Sequence, residues 1–257
     1  MTVARLSKTA KERIITTLSP IAVLALWQLL SELRVLDARY VPSPTDIAAA
    51  SWNLIRSGEL WRHIAATLYR LIIGFLIGSI PGILIGMVMG LSWVFRAAVD
   101  PIVGATYPIP KIAILPLLML LFGIGDASKI AVVAISVVYL TIINTMAGVM
   151  SIDRTYFDVA RSFKTPPLKL FLRLILPGAL PMIFAGLRIS LGVSMIVVVS
   201  AEFVASNAGI GYLIWSSWET LLVENMFVGI IVITILGFFS NIALREVERF
   251  CIPWRSE

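Results

Sequence analysis

Long apolar runs without an ionisable side chain constrain this chain more than any other feature of its sequence. The runs cover residues 71–95, 130–150, 189–200 and 227–244, and none of them contains Asp, Glu, Lys, Arg or His. A helix needs about 20 apolar residues to cross the hydrocarbon core of a bilayer. Because 59% of the 257 residues are hydrophobic and 14% are charged, too little polar surface remains for a soluble globule. The sequence therefore predicts an integral membrane protein.

Six segments approach the length of a transmembrane helix. They lie at about 14–33, 71–95, 112–124 with a broken lead-in from 101, 130–150, 182–204 and 226–244. The first segment resembles a signal peptide, but no small-x-small cleavage site follows it, so we expect a retained span. We predict an all-α, polytopic membrane protein of about six transmembrane helices, with residues 1–257 forming a single transmembrane domain.

The positions of Lys and Arg predict which side of the membrane each loop faces, because cytoplasmic loops carry an excess of both. Five basic residues lie in the loop 151–181 and three follow residue 244, whereas 202–225 holds three glutamates and no basic residue. Four more precede the first span, namely Arg5, Lys8, Lys11 and Arg13. Residues 34–62 do not fit this distribution, because their four arginines would lie on the outer side of the membrane. We expect both termini in the cytoplasm, and we assign the net charge of +6 to cytoplasmic loops rather than to nucleic-acid binding.

Glycines recur every fourth residue through the second predicted span, at positions 74, 78, 82, 86 and 90. Residues four apart lie along one ridge of a helix, so this stripe predicts a surface that another helix approaches closely. A functional hinge is the alternative, and Pro81 keeps some bending possible.

Four prolines interrupt the segment 101–116, at positions 101, 108, 110 and 116. Each proline removes a backbone donor and disfavours a regular helix. Irregular backbone at membrane depth is tolerated only where protein or a water-filled cavity covers it. The segment is therefore a candidate wall of a translocation path, and a cytoplasmic loop followed by a short kinked span is equally compatible with residues 101–110.

The basic loop 151–181 predicts two short helices that project from the membrane. Apolar side chains recur at helical spacing, at Tyr156, Val159, Ala160 and Phe163, and predict a first helix with an apolar stripe. Thr165 suits an N-cap with Pro166 at the first helical position, so a second helix should run to about residue 176, before Pro177. The apolar stripe predicts a docking surface for a partner. The alternative is an amphipathic connector lying on the bilayer.

Two segments of this loop, Asp158-Val-Ala-Arg-Ser-Phe and Leu176-Pro-Gly-Ala-Leu-Pro181, carry a resemblance to a known family. They resemble the "EAA" loop of binding-protein-dependent ABC importer permeases, in which Glu-Ala-Ala is followed after four residues by glycine and then by Ile-x-x-Leu-Pro. Lys164 stands at the glycine position, and a lysine adopts the positive φ of such a turn less readily than glycine.

Further segments resemble the nitrate, sulfonate, taurine and bicarbonate group of these permeases. They are Val41-Pro-Ser-Pro, Tyr107-Pro-Ile-Pro-Lys, Leu115-Pro-Leu, Phe122-Gly-Ile-Gly-Asp, Ala201-Glu202 and Gly209-Ile-Gly-Tyr-Leu. The resemblance implies a type I (MetI-like) importer bundle in a bacterial inner membrane. It also implies a homodimer with two cytoplasmic ATPase subunits and an extracytoplasmic substrate-binding protein.

The resemblance assigns the first loop helix as a coupling helix that docks on the ATPase. Its residues are Tyr156, Phe157, Asp158, Val159, Ala160, Arg161, Ser162, Phe163, Lys164 and Thr165. No Gly-x-x-x-x-Gly-Lys-Ser/Thr phosphate loop occurs in the sequence, so we expect a separate polypeptide to use ATP and Mg²⁺ and this chain to bind no cofactor.

The predicted substrate path is less specific than the coupling helix. Its candidate residues are Tyr107, Met119, Ser190, Ser194, Met195 and Glu202. Bonding of the two serines to their own backbone, and a structural pairing of Glu202 with a neighbouring helix, are the alternatives. The resemblance implies a small, anionic cargo, such as a sulfonate or taurine, nitrate or bicarbonate, or else a thiamine-precursor pyrimidine, and it leaves the choice among them open.

Two other classes of function are disfavoured by the sequence. An ion-coupled secondary transporter would need ionisable groups at the membrane midplane, where the apolar runs carry none. An intramembrane enzyme is disfavoured because His63 is the only histidine and the runs hold no paired acidic residues. A single cysteine, Cys251, excludes an intrachain disulfide.

Overall fold

The computed structural model describes residues 8–204 and 206–254, and the side chains of residues 8–15 and 17 are outside the description. Arg5 and the side chains of Lys8, Lys11 and Arg13 therefore lie outside the described residues. Within the described chain every regular element is helical. The helices are α1 (Lys8–Glu32), α2 (Pro44–Arg56), α3 (Glu59–Leu91), α4 (Trp93–Thr106), α5 (Leu115–Phe122), α6 (Asp126–Met150), α7 (Arg154–Ser162), α8 (Pro167–Leu170), α9 (Leu176–Phe203), α10 (Ile210–Glu219) and α11 (Val223–Cys251), with a 3₁₀ turn at Lys111–Ile114 and a π turn at Phe171–Ile175.

Four of the described helices are long and apolar enough to cross a membrane. They are α3, α6, the continuous segment Pro167–Phe203 and α11. A fifth candidate is the pair formed by α4 and the segment Lys111–Phe122, whose axes meet at 88°. The first predicted span corresponds to a shorter apolar helix, Leu18–Glu32. Each predicted span thus has a helical counterpart, and the bent pair is the broken segment that the four prolines predicted.

The backbone divides into two compact units, of which the smaller comprises residues up to Trp61 together with Leu213–Ile231. Its α2 begins with a capping box, in which the Ser43 side chain accepts from the Asp46 N–H and the Asp46 carboxylate accepts from the Ser43 N–H. Trp27 packs against Phe227, with ring centroids 6.0 Å apart. The sequence prediction of a single domain stays a prediction.

The larger unit, Arg62–Tyr212 with Val232–Glu257, contains the close helix contact that the glycine stripe predicts. Every glycine of the stripe faces α6. A Cβ added at Gly74 would lie 2.7 Å from the Cβ of Val133, and one added at Gly90 would lie 2.5 Å from the Cβ of Val149. Real Cβ atoms do not approach this closely, so α3 and α6 lie at a separation that only glycine permits. The close-packing interpretation is confirmed along the whole stripe.

Two apolar clusters form the core of the larger unit. One joins α6 and α9 through Val132, Val133 and Val198, all fully buried. The other joins the ends of α3, α6 and α9 to the end of α11 through Met87, Ala179 and Ile252. Together these clusters hold α9 against α6 along its length, which fixes the position of both ends of α9.

Candidate functional site

Helix α7 presents the apolar stripe predicted for the coupling loop. Its N-cap is Asp153, whose carboxylate accepts the Thr155 N–H at 2.8 Å, and this bond holds the pKa of the Asp153 carboxyl below its usual value. Tyr156, Val159 and Phe163 are 60%, 50% and 81% exposed. These three side chains form an exposed apolar surface, which is available to a partner.

The turn after α7 forms although lysine stands where the family pattern has glycine. Lys164 has φ +49°, in the left-handed region. The Thr165 N–H donates to the Ala160 carbonyl at 2.9 Å, and the Lys164 N–H donates to the Arg161 carbonyl at 2.9 Å. This pair of bonds is a Schellman motif, in which glycine is the preferred residue because it has no Cβ. Lysine thus adopts the expected turn and bears the cost of a positive φ.

A groove of about 450 Å³ opens between α7 and the segment that follows it. We call it the α7 groove and define it by its large apolar residues, which are Tyr156, Val159, Phe163, Leu170 and Leu174. Lys169 and Arg173 also line it, so the groove combines an apolar floor with a basic rim. Such a surface suits an apolar protrusion flanked by acidic side chains.

The second loop helix differs from its prediction in two respects. Its N-cap is Pro166 rather than Thr165, so the helix begins one residue later, at Pro167. It also does not end before Pro177, because the chain is helical without interruption from Pro167 to Phe203. The π turn Phe171–Ile175 ends two residues before Pro177 and widens the helix, which accommodates the proline ring and its missing N–H. The loop and the fifth span are therefore one helical rod.

The far end of this rod carries a buried ion pair. Glu202 and Arg70 are 0% and 5% exposed, and the Arg70 guanidinium donates to the Glu202 carboxylate at 2.7 Å. The Thr67 hydroxyl donates to the same carboxylate at 2.9 Å, and the Gly211 N–H donates at 2.9 Å. Arg70 also pairs with Asp126 at 2.7 Å. The structural pairing of Glu202 with a neighbouring helix is confirmed.

These residues also bind the backbone of the segment 207–211, which follows α9. Arg70 donates to the Ala208 carbonyl at 2.7 Å, the Thr67 hydroxyl accepts from the Ile210 N–H at 2.8 Å, and His63 Nδ1 accepts from the Gly209 N–H at 3.1 Å. Residues 63, 67 and 70 lie on one face of α3, at helical spacing. Buried Lys129 lines the same pocket as Arg70 and Asp126. We call this group the Glu202 cluster, with members His63, Thr67, Arg70, Asp126, Lys129 and Glu202.

A second polar arrangement, centred on the Lys111 side chain, lies at the bend between α4 and α5. The Lys111 ammonium donates to the carbonyls of Thr106, Tyr107 and Ile109 at 3.0, 2.8 and 2.9 Å. It also lies 4.4 Å from the ring centroid of Tyr139 on α6, a cation–π contact. The lysine thereby satisfies carbonyls that the proline-rich break leaves without helical partners. Tyr107, a predicted path residue, is part of this bend and is 44% exposed.

The other predicted path residues lie in the interior. Ser194 bonds its own helix, at the Leu191 carbonyl, 2.7 Å away, and Ser190 lies 3.4 Å from the Thr141 hydroxyl on α6. Met195 belongs to the apolar cluster between α6 and α9, and Met119 packs against that cluster. The structure thus places Met119 and Met195 at the same apolar cluster, and it places Glu202 and Tyr107 in separate polar clusters. Their assignment to a substrate path stays a prediction.

Sequence reasoning missed most of the Glu202 cluster. Arg70 and Lys129 stand immediately before the apolar runs 71–95 and 130–150, and Glu202 follows the run 189–200. A charged residue next to one end of each of three apolar runs was the available signal. The helical spacing of His63, Thr67 and Arg70 would have placed those three on one face.

The family of the chain follows from a comparison with known proteins. Residues 82–250 match the model of the binding-protein-dependent transport system inner membrane component. This chain belongs to that family. The permease is similar to the aliphatic sulfonates transport permease protein SsuC of Escherichia coli (strain K12), with 38% identity over 235 residues that cover 91% of this chain and 89% of the relative. It is also similar to the taurine transport system permease protein TauC of the same strain, with 32% identity over 240 residues, 91% of this chain and 87% of the relative.

Among solved structures, the permease resembles a chain of an inward-facing MetNI methionine ABC transporter. The TM-score is 0.60, the identity is 20%, and the match covers 78% of this chain and 96% of that chain. This likeness concerns the fold, and it confirms the predicted type I importer bundle. The permease is thus the membrane-embedded translocation subunit of an ABC importer, in which a separate ATPase subunit hydrolyses ATP. An ATPase and a substrate-binding protein are its partner classes.

Proposed function

We propose that this permease imports small organosulfonates, taurine or an alkanesulfonate, with the α7 groove as its ATPase-docking site. The cargo rests on the names of the relatives, which are sulfonate and taurine permeases. The single observation that carries the docking site is the exposed apolar face of α7, where Phe163 is 81% exposed.

The assembly we propose contains two copies of this chain, two ATPase subunits and one extracytoplasmic binding protein. Both termini and α7 face the cytoplasm, which agrees with the positive-inside rule because the loop 151–181 carries five basic residues. ATP and Mg²⁺ are bound by the ATPase subunits and no cofactor by this chain. The binding protein delivers the anion at the opposite face, where the segment 202–225 carries three glutamates and no basic residue.

Coupling in this proposal depends on the continuity between the groove and the transmembrane region. Leu170 and Leu174 line the groove and belong to the same unbroken helical rod as Glu202. Closure of the ATPase dimer would move α7 and the start of this rod together. The rod packs on α6 through two close contacts. A Cβ added at Gly148 would lie 2.7 Å from the Cβ of Met182, and Asn144 lies against Gly186. A displacement at the groove is therefore transmitted to α6.

The docking assignment is tested by placing a charge on the apolar face of α7. We expect Phe163→Glu, alone and combined with Ala160→Arg, to reduce ATPase co-purification and transport at least tenfold while the permease remains in the membrane. The matched control is Phe250→Glu, which alters an 88% exposed phenylalanine on α11, outside the groove. ATPase retention equal to wild type in the double variant would refute docking at the α7 groove.

The cargo assignment is tested separately, with purified components in proteoliposomes. We expect ATP-dependent uptake of radiolabelled taurine or an alkanesulfonate when the binding protein of the same system is supplied. Nitrate and bicarbonate serve as the competing anions. Uptake of one of these, without uptake of any sulfonate, would overturn the cargo while leaving the docking site untouched.

A further inference from the structure

A second cavity, of about 300 Å³, lies beside α7 but outside both the α7 groove and the Glu202 cluster. It forms where the ends of α3 and α6 meet the starts of α4 and α7. We call it the arginine cavity and define it by Gly90 of α3, Arg96 of α4, Met150 of α6, and Arg154 and Phe157 of α7. The proposed docking and cargo sites do not use it.

The arginine cavity carries two positive charges and no acidic wall. None of the residues that line it is Asp or Glu. The Arg96 guanidinium donates to the Met150 sulfur at 3.0 Å, and a thioether is a weak acceptor. Within the described part of the chain, neither Arg96 nor Arg154 forms an ion pair. The adjacent Asp153 carboxylate is engaged with the Thr155 N–H as the α7 N-cap.

The arginine cavity lies at the ends of two apolar helices, where we expect hydrocarbon to give way to lipid headgroups. The apolar helices α3 and α6 end at Leu91 and Met150, which both line the cavity. Trp93, the first residue of α4, is 73% exposed, and tryptophan is enriched where bilayer hydrocarbon meets water. At this depth, the phosphate groups of the bilayer lipids are the anions that two arginine side chains would contact.

We propose that the arginine cavity binds the phosphodiester headgroup of an anionic phospholipid, with Arg96 and Arg154 as its ligands. A guanidinium presents donors in a fork that matches two phosphate oxygens. A free phosphate ion has the same chemistry, but the location between the ends of membrane helices favours a lipid. Because Arg154 and Phe157 belong to α7, a bound headgroup would hold the first turn of the coupling helix against the ends of α3 and α6.

The test is lipid retention by the purified permease–ATPase complex, measured by native mass spectrometry during titration with phosphatidylglycerol. Phosphatidylcholine is the zwitterionic lipid control. An arginine near a charged membrane surface contributes roughly a fivefold gain in binding, so Arg96→Gln with Arg154→Gln should weaken retention about 25-fold. The matched control is Arg245→Gln. This exposed arginine lies near the end of α11. That helix end is at the same end of the larger unit as the cavity, because Ile252 packs with Met87 of α3 and Val149 of α6.

Each outcome of the titration bears on the proposal. Loss of phosphatidylglycerol in the double variant, with unchanged retention in Arg245→Gln, supports a headgroup site. Equal retention in the double variant and wild type overturns it. Displacement of the lipid by millimolar inorganic phosphate overturns the lipid as occupant and assigns the site to the free anion. Loss of the ATPase subunit without loss of lipid overturns it too, because the arginines would then bind an acidic partner surface.

Discussion

The substitution Glu202→Gln removes one charge from the Glu202 cluster and keeps the size of the side chain. Both carboxylate oxygens are used, since Oε1 accepts from Arg70 and Oε2 accepts from the Gly211 N–H, while the Thr67 hydroxyl donates to either. A glutamine has one oxygen and one NH₂ group. In either orientation its NH₂ faces another donor, so one donor of the cluster is left without its acceptor.

The expected loss in the free energy of unfolding follows from the burial of this ion pair. Glu202 is fully buried and the Arg70 side chain is 7% exposed, so the surrounding water screens this pair little. Removing one partner of a buried ion pair destabilises a protein by about 3–5 kcal/mol, because the remaining charge is left uncompensated. Because Arg70 keeps its ion pair with Asp126, we expect the loss of stability to lie at the lower end of that range. At roughly 2–4 °C per kcal/mol, the unfolding midpoint should fall by about 6 °C or more.

The single cysteine provides the assay. Cys251 is partly buried and packs at the edge of the apolar cluster that contains Met87 and Ile252, so a thiol-reactive fluorescent dye reports its exposure during heating in detergent. The matched control is Glu219→Gln, where an exposed carboxylate accepts the Trp215 indole N–H at 2.9 Å. That substitution should change the midpoint little. Equal midpoints for the two variants would refute the reasoning from buried charge.

Three further predictions concern packing and the coupling loop. Gly82→Ala should destabilise by about 1–3 kcal/mol in the thiol assay, since the new Cβ would lie 2.8 Å from the Cβ of Thr141, whereas Gly104→Ala, with nothing within 4 Å, should not destabilise. Lys164→Gly should remove the conformational strain of a positive φ at lysine and so slow limited chymotrypsin cleavage of the loop about two- to fivefold. Faster cleavage would contradict the interpretation that Lys164 is strained. Asp153→Ala should speed that cleavage. Because a backbone N–H lowers the pKa of the Asp153 carboxyl, wild-type protection should persist at neutral pH and be lost only as the pH falls through that lowered value.

The elements that the sequence predicted correctly are those governed by periodicity. Charge-free runs predicted the long helices, and a glycine at every fourth position predicted the contact between α3 and α6. The helical spacing of apolar side chains also located α7. In each case the information lies within one turn or one face of a helix, so a single segment suffices to read it.

The errors and omissions involve geometry that a single segment does not carry. Pro177 indicates a helix end by local rules, but the preceding π turn accommodates it and the rod continues. The Glu202 cluster joins α3, α6 and α9, and Glu202 lies 132 residues from Arg70 in sequence. Only the packing of the glycine stripe and of α6 on α9 brings these charges together, so the cluster is a consequence of tertiary structure.

The unbroken helix Pro167–Phe203 gives the permease a long mechanical arm. Its 37 residues span roughly 55 Å at about 1.5 Å per residue. If one end were held, a tilt of about 10° would displace the other end by about 10 Å, several times the length of the hydrogen bonds around Glu202. In the docking arrangement proposed above, a tilt of this helix at its α7 end would therefore alter the contacts that its opposite end makes with the segment 207–211.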